Sequence, residues 1–259
     1  MTVPDKSARS PHRGCRRPFA ILVAGQPIEK VRARRGEYAD MIRASAGESG
    51  VTWMEVDLRQ DTPLPEPTTL GGAVVTGSSA SVTERASWML RAEEYLRALI
   101  RDGVPTLGIC FGHQLLGQAL GGHVTRNPRG REIGTVAFEV LEADPLLSSA
   151  IAPWHANATH IDTIARLPSG SRVLAQTALE LHAVVRFADA AWGVQFHPEM
   201  DGSTIRDYLE ARRAILLSEG LDPDGLLRHV TDGEAGASTL VRFVALALHS
   251  APTAEPRWR

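Results

Sequence analysis

Apolar residues in this chain fall into two alternating patterns: short continuous runs, and longer stretches where they recur every three or four positions. The first pattern reads as strands buried on both faces, the second as helices with one apolar face. Phe19–Val23, Val51–Val56, Gly72–Val75 and the run from Val104 to Ile109 are predicted strands. Tyr38–Ala46 is a predicted helix. A second helix carries Trp88, Ala92, Tyr95, Leu96, Leu99 and Ile100 on one stripe and ends at Gly103. Trp88 and Tyr95 are expected in its core-facing side. The capping-box pattern Ser81-Val82-Thr83-Glu84 is expected to open it, and Pro63–Pro67 reads as a loop. Strands alternating with helices predict an α/β fold, a mostly parallel open sheet flanked by helices.

Beyond residue 130 the pattern changes. Gly134–Leu141 alternates like a strand with one wet face, and Asp144–Ala150 reads as a short helix. Arg172–Ala175, Ala183–Phe187 and Trp192–Phe196 read as further strands, the last two joined as a hairpin through Ala188–Ala191. Such pairs predict an antiparallel extension to the parallel sheet. Ser203–Leu217 and Ser238–His249 read as closing helices.

The chemistry is concentrated at Gly108-Ile109-Cys110-Phe111-Gly112, between the last parallel run and the helical pattern His113–Leu120. A nucleophile flanked by glycines on a strand-to-helix turn is an elbow: the turn is sharp, and the glycines admit backbone where a Cβ would clash. At a helix N-terminus, orphan N–H groups favour the thiolate over the thiol. A base is supplied by Phe196-His197-Pro198-Glu199. In extended backbone Glu199 projects to the same side as His197, where it can orient the imidazole and stabilise its charge. The small-residue loop Thr76-Gly77-Ser78-Ser79 follows a buried strand and can bring amides to a ligand, beside the N–H of Phe111.

Together, Gly108 to Gln114 and Phe196 to Glu199 resemble the class I (triad) glutamine amidotransferase family. The loop Thr76–Ser79 stands where that family carries Ser-Gly-Gly-Pro. Thr159-His160-Ile161-Asp162 with Leu167-Pro168 is similar to its Ser-His-x-Asp…Leu-Pro segment. The similarity runs from about Phe19 to Glu199, and the Gly-Ser-x-x-Ser-Val form of the loop with Met200 after His-Pro-Glu is similar to the stand-alone GMP-synthase-like and γ-glutamyl-peptidase-like members.

The resemblance implies a flavodoxin-like fold and a glutaminase reaction through a cysteine γ-glutamyl thioester. Cys110 would be the nucleophile, His197 the general acid/base and Glu199 its orienter. Gly77, Ser78 and Phe111 would form the oxyanion hole, and Gln114, His160 and Asp162 would contact substrate. Serines replace a glycine and the proline of the usual loop, so the hole differs in shape or assembles with substrate. No cofactor is implied. The substrate would be L-glutamine or a γ-glutamyl compound, and the ammonia acceptor a separate synthetase or acceptor-enzyme subunit, since no synthetase is recognisable alongside.

Bulk properties narrow the classes. A net charge of −2 opposes a nucleic-acid footprint. No apolar run reaches the ~20 residues of a membrane span, so no membrane partner is expected. Two cysteines, Cys15 and Cys110, give no disulfide framework and point to a reducing, cytoplasmic setting. There is no phosphate-binding glycine loop. His155 and His160 lack partners at metal-ligand spacing, so no metal is expected. Met1–Pro18 is basic and proline-bearing, without an apolar signal core, and is expected to be a disordered tail. Residues 19–250 are expected to form the amidotransferase domain, with 251–259 a loose tail. Arg32, Arg34, Arg35 and Tyr38 read as a solvated face, or else as the lining of an acidic acceptor's mouth. Three functions stay open: a glutaminase that feeds a partner, a γ-glutamyl peptidase using the same triad, and a non-catalytic module that kept the fold.

Overall fold

The computed structural model describes residues 17–147 and 154–250. The first half alternates strand and helix. It contains β1 (Phe19–Val23), α1 (Glu29–Arg35), α2 (Tyr38–Ala46), β2 (Trp53–Asp57), β3 (Gly72–Val75), α3 (Ser87–Arg101), β4 (Thr106–Ile109) and α4 (Phe111–Ala119). Seven strands follow: β5 (His123–Arg126), β6 (Glu132–Val140), β7 (Trp154–His160), β8 (Asp162–Arg166), β9 (Arg172–Gln176), β10 (Val184–Ala188) and β11 (Ala191–Val194). Helices α5 (Gly202–Ala211), α6 (Arg213–Ser218), α7 (Pro223–Arg228) and α8 (Glu234–Ser250) come last.

The main sheet runs β2-β1-β3-β4-β11-β10-β9-β6-β7. Its first five strands are mutually parallel and the remaining pairings antiparallel, so the predicted parallel core with an antiparallel extension is the observed arrangement. Strand alternation divides the core. Phe19, Ile21, Val74 and Leu107 face α2 and α8, whereas Ala20, Leu22, Ala73 and Val75 face α3 and α4. A third apolar cluster, Val31, Tyr38, Met41, Ile205, Tyr208 and Leu209, joins α1, α2 and α5.

Several expectations need correction. The Ser81 capping box forms, but on a single 3₁₀ turn, Val82–Glu84. Arg85, at φ 52°, then breaks the chain direction, and α3 starts at Ser87. Trp88 and Tyr95 do face the core as expected: Trp88 is half-buried against Phe111, and Tyr95 is buried with its hydroxyl donating to the Pro65 carbonyl at 2.8 Å. Asp144–Leu147 is a turn and not a helix. The Asp144 carboxylate accepts from the Leu146 N–H at 2.9 Å, a local bond that competes with helix. The remainder of that segment lies outside the described residues, as do the two tails apart from residues 17 and 18. The predicted helix Ser203–Leu217 is two helices meeting at Arg212. Strands β5, β7 and β8 and helices α1 and α7 were not predicted.

Candidate active site

Cys110 lies between β4 and α4 with φ 50° and ψ −103°, a conformation that residues with a Cβ rarely adopt. Both flanking glycines are required by contact. A Cβ on Gly108 would strike the Gly112 carbonyl, and one on Gly112 would sit 2.5 Å from the Val75 oxygen. Gly112→Ala is therefore expected to destabilise the fold by about 1–3 kcal/mol, measured by urea denaturation, because the clash is with backbone that cannot rotate away.

The sheet brings His197 to Cys110. In β11, Val194 pairs in parallel register with Ile109, and the Cys110 N–H donates to the Val194 carbonyl at 2.8 Å. Cys110 and His197 thus leave the carboxyl ends of adjacent strands, where parallel α/β sheets bind ligands. His197 Nδ1 and Glu199 Oε1 are 2.7 Å apart, both side chains buried. Burial alone would push the Cys110 thiol up, but the His197 charge and its hydrogen bond to the sulfur hold it below its ordinary value. Burial likewise opposes charge on His197, yet Glu199 and Cys110 raise its pKa well above the usual range. The resting pair is therefore biased toward thiolate and imidazolium. Tyr38 stacks on the His197 ring at 6.4 Å and bonds the Tyr208 hydroxyl at 2.9 Å, which steadies the imidazole from behind.

The loop 76–79 packs directly on this pair. A Cβ on Gly77 would lie 2.8 Å from His197 Cε1, and one on Gly25 would lie 2.6 Å from the Ser78 Cα. Thr76 ties the loop to the end of β1, accepting from the Ala24 N–H at 2.9 Å. Phe111 is the first residue of α4, so its N–H has no acceptor inside the helix.

Cys110, Phe111, Ser78, Gln114, His160 and Asp162 line one cavity of about 390 Å³. A larger cleft of about 830 Å³ beside Arg206 and His229 shares no lining residue with it. Gln114 spends its amide N–H groups on the Asp162 carbonyl (2.9 Å) and on Gln195 Oε1 (3.0 Å). His160 is buried, with Nε2 3.1 Å from Glu132 Oε2 and Nδ1 3.2 Å from the Asp162 carbonyl. Burial disfavours its charge, but Glu132 and then Cys110 raise its pKa. His113, next along α4, has neither ring nitrogen bonded. Burial lowers its pKa to about 3, which leaves it neutral.

Sequence reasoning missed Glu132 and Arg212. Glu132 is the direct cross-strand partner of His160, a pairing that only the β6–β7 register creates. Arg212 lines the cavity from the break between α5 and α6. The arginines after β1 do not line it. Arg34, which is exposed, and the partly exposed Arg35 tie α1 to α5 through Asp207 (2.6 Å) and Asp201 (2.8 Å), a charged outer face as expected, whereas Tyr38 is buried.

The mostly parallel sheet thus ends in a strained cysteine, beside a buried His–Glu pair that follows the end of the neighbouring strand. The sequence model of class-I glutamine amidotransferases matches residues 38–215, and the chain belongs to that family of enzymes. It is 34% identical over 166 residues to the glutamine-hydrolyzing GMP synthase of Aeropyrum pernix, covering 64% of this chain and 31% of that protein. It is also 34% identical over 146 residues to one subunit of the glutamine-hydrolyzing GMP synthase of Sulfolobus acidocaldarius, covering 56% of this chain and 76% of the subunit. The chain thus spans about a third of the first relative and most of the second. The crystal structure of a glutamine amido transferase from Methylobacillus flagellatus superposes with a TM-score of 0.72 at 21% identity, covering 94% of this chain and 98% of that one. Among the described residues, no helix is long and apolar enough to cross a membrane.

Proposed function

We propose that this chain hydrolyses L-glutamine through Cys110, His197 and Glu199 and supplies ammonia to a separate synthetase or acceptor enzyme. The observation that carries the reading is the Cys110–His197–Glu199 arrangement at the strained elbow, with the thiol lowered and the imidazole raised. The Cys110 thiolate attacks the γ-amide carbon, forming a C–S bond. The oxyanion is held by the amides of Phe111 and Ser78, with Gly77 giving the loop its close approach to His197. His197 gives its proton to the leaving nitrogen, the C–N bond breaks and ammonia departs. Water then loses a proton to His197 and attacks the thioester, releasing glutamate and restoring the thiolate. Gln114, His160 and Asp162 shape the substrate side of the cavity. The glutamine-hydrolyzing activity of the two synthase relatives supports this reading, as does the two-cysteine composition for a cytoplasmic setting.

A second reading, γ-glutamyl peptidase, is favoured by the cavity volume, about 390 Å³, which lies in the range of sites that hold drug-sized ligands. The purified chain is expected to release ammonia from L-glutamine faster than it cleaves γ-glutamyl dipeptides. Rapid dipeptide cleavage with negligible ammonia release would replace the first reading with the second.

A further inference from the structure

Three arginines, Arg126, Arg131 and Arg212, reach the nucleophile's cavity, and two are already neutralised. Arg131 pairs with Glu219 through contacts of 2.7 and 3.0 Å, and Arg126 lies 3.5 Å from the same carboxylate. Arg212 is different. Its guanidinium donates to the Thr159 hydroxyl and lies 5.0 Å over the Tyr208 ring, and it meets no carboxylate among the described residues. Burial there works against its charge, and the neighbouring Arg131 adds to this, so its pKa is lowered despite the opposing influence of Tyr208, Tyr38 and Cys110. A partly buried guanidinium left with neutral partners, in a cavity that also holds a nucleophile, is a seat for an anionic group of the ligand.

Geometry selects which anion. Thr159 bridges the two groups: its carbonyl oxygen is 3.9 Å from Cys110 Sγ, and its hydroxyl accepts from Arg212. Sulfur and guanidinium are thus held at either end of one residue. In L-glutamine, four carbon–carbon bonds separate the amide carbon from the α-carboxylate carbon, a reach of about 5 Å. The same cavity carries the Asp162 carboxylate, so an amino-acid zwitterion meets a group of each sign. The site is also rigid. Tyr208 beneath Arg212 bonds Tyr38, which stacks on His197, so one packed chain positions both the anion seat and the base.

We propose that Arg212 binds the α-carboxylate of the γ-glutamyl substrate and thereby sets the amide carbon against Cys110. This rests on the reading of Cys110 as a nucleophile for γ-glutamyl amides, so the test separates the two. Cys110 is alkylated with a glutamine-shaped chloroketone, with its α-carboxamide counterpart, and with neutral chloroacetamide, and the rates are followed by mass spectrometry. The wild type is expected to prefer the carboxylate-bearing reagent. In Arg212→Gln its rate relative to chloroacetamide should fall about tenfold to a hundredfold, the size of one lost hydrogen bond to a charged group. The carboxamide reagent should show no such fall, and Arg212→Lys should recover part of the preference. Circular dichroism and the thermal midpoint establish that each variant is folded.

An Arg212→Gln variant that keeps the full preference, or loses reactivity equally toward both glutamine-shaped reagents, overturns the assignment. A loss confined to hydrolysis of γ-glutamylglycine, with γ-glutamyl methylamide unaffected, would assign Arg212 to a leaving-group carboxylate and also overturn it. A wild-type Cys110 with no preference for any glutamine-shaped reagent and no γ-glutamyl hydrolysis overturns the parent reading, and this one with it.

Discussion

Cys110→Ala is expected to lower ammonia release from L-glutamine by about 10⁴-fold or more, since the covalent route is lost while binding and the oxyanion donors remain. Retention of activity within about tenfold of the wild type would rule out the thioester mechanism. Stability should move the other way in a companion variant. The φ of 50° and ψ of −103° at position 110 strain any residue with a Cβ, alanine included. Cys110→Gly is therefore expected to be as inactive as Cys110→Ala yet more stable by about 1–2 kcal/mol in urea denaturation. A stability gain at the nucleophile itself would show that the strained turn is maintained for reactivity and not for folding.

The elbow was legible in sequence because its geometry leaves few choices. Gly108 and Gly112 face backbone at distances no side chain tolerates, and Cys110 between them marks the turn. The parallel strands were legible for a similar reason: buried on both faces, Phe19–Val23 and Gly72–Val75 can hold little but apolar residues. Elements with one polar face, or with polar groups satisfied inside the protein, left no such mark. Helix α1 buries only Val31 and is held by ion pairs to α5, so its sequence shows no apolar period. Strand β7 contains Asn157, whose amide donates to the Met200 and Thr231 carbonyls at 3.1 and 3.2 Å, partners far away in sequence.

The same distinction runs through the site. His197 and Glu199 are two residues apart, and local chain geometry is enough to put them together. Glu132 and His160 are brought together only by strand register, and Glu132 falls just before the segment whose alternation was readable. Arg212 is less visible still. It interrupts a helical pattern without proline or glycine, and the interruption turns a surface-helix arginine into a cavity residue. The Cys110 elbow and the His197–Glu199 pair are thus local features, whereas the groups that line the rest of the cavity come from tertiary structure.

That tertiary environment has a measurable consequence in the pH dependence of Cys110. Burial favours the neutral thiol, and the His197 charge outweighs it, so the net shift is downward. Alkylation by chloroacetamide should therefore follow a titration whose midpoint lies below the ordinary thiol value of about 8.5, with reactivity lost as pH falls through that midpoint. His197→Asn removes the largest lowering influence and leaves burial and the Glu199 charge, which raise the thiol, against the smaller lowering influence of His160. The midpoint should then move above the ordinary value, and the alkylation rate at pH 7.5 should fall about tenfold or more. Glu199→Gln should act in the same direction but less strongly, because it removes the largest influence that keeps His197 charged while leaving the ring in place. An unchanged midpoint in His197→Asn would mean that the thiolate owes nothing to that imidazole, and His160 and the helix N-terminus would then have to account for its reactivity.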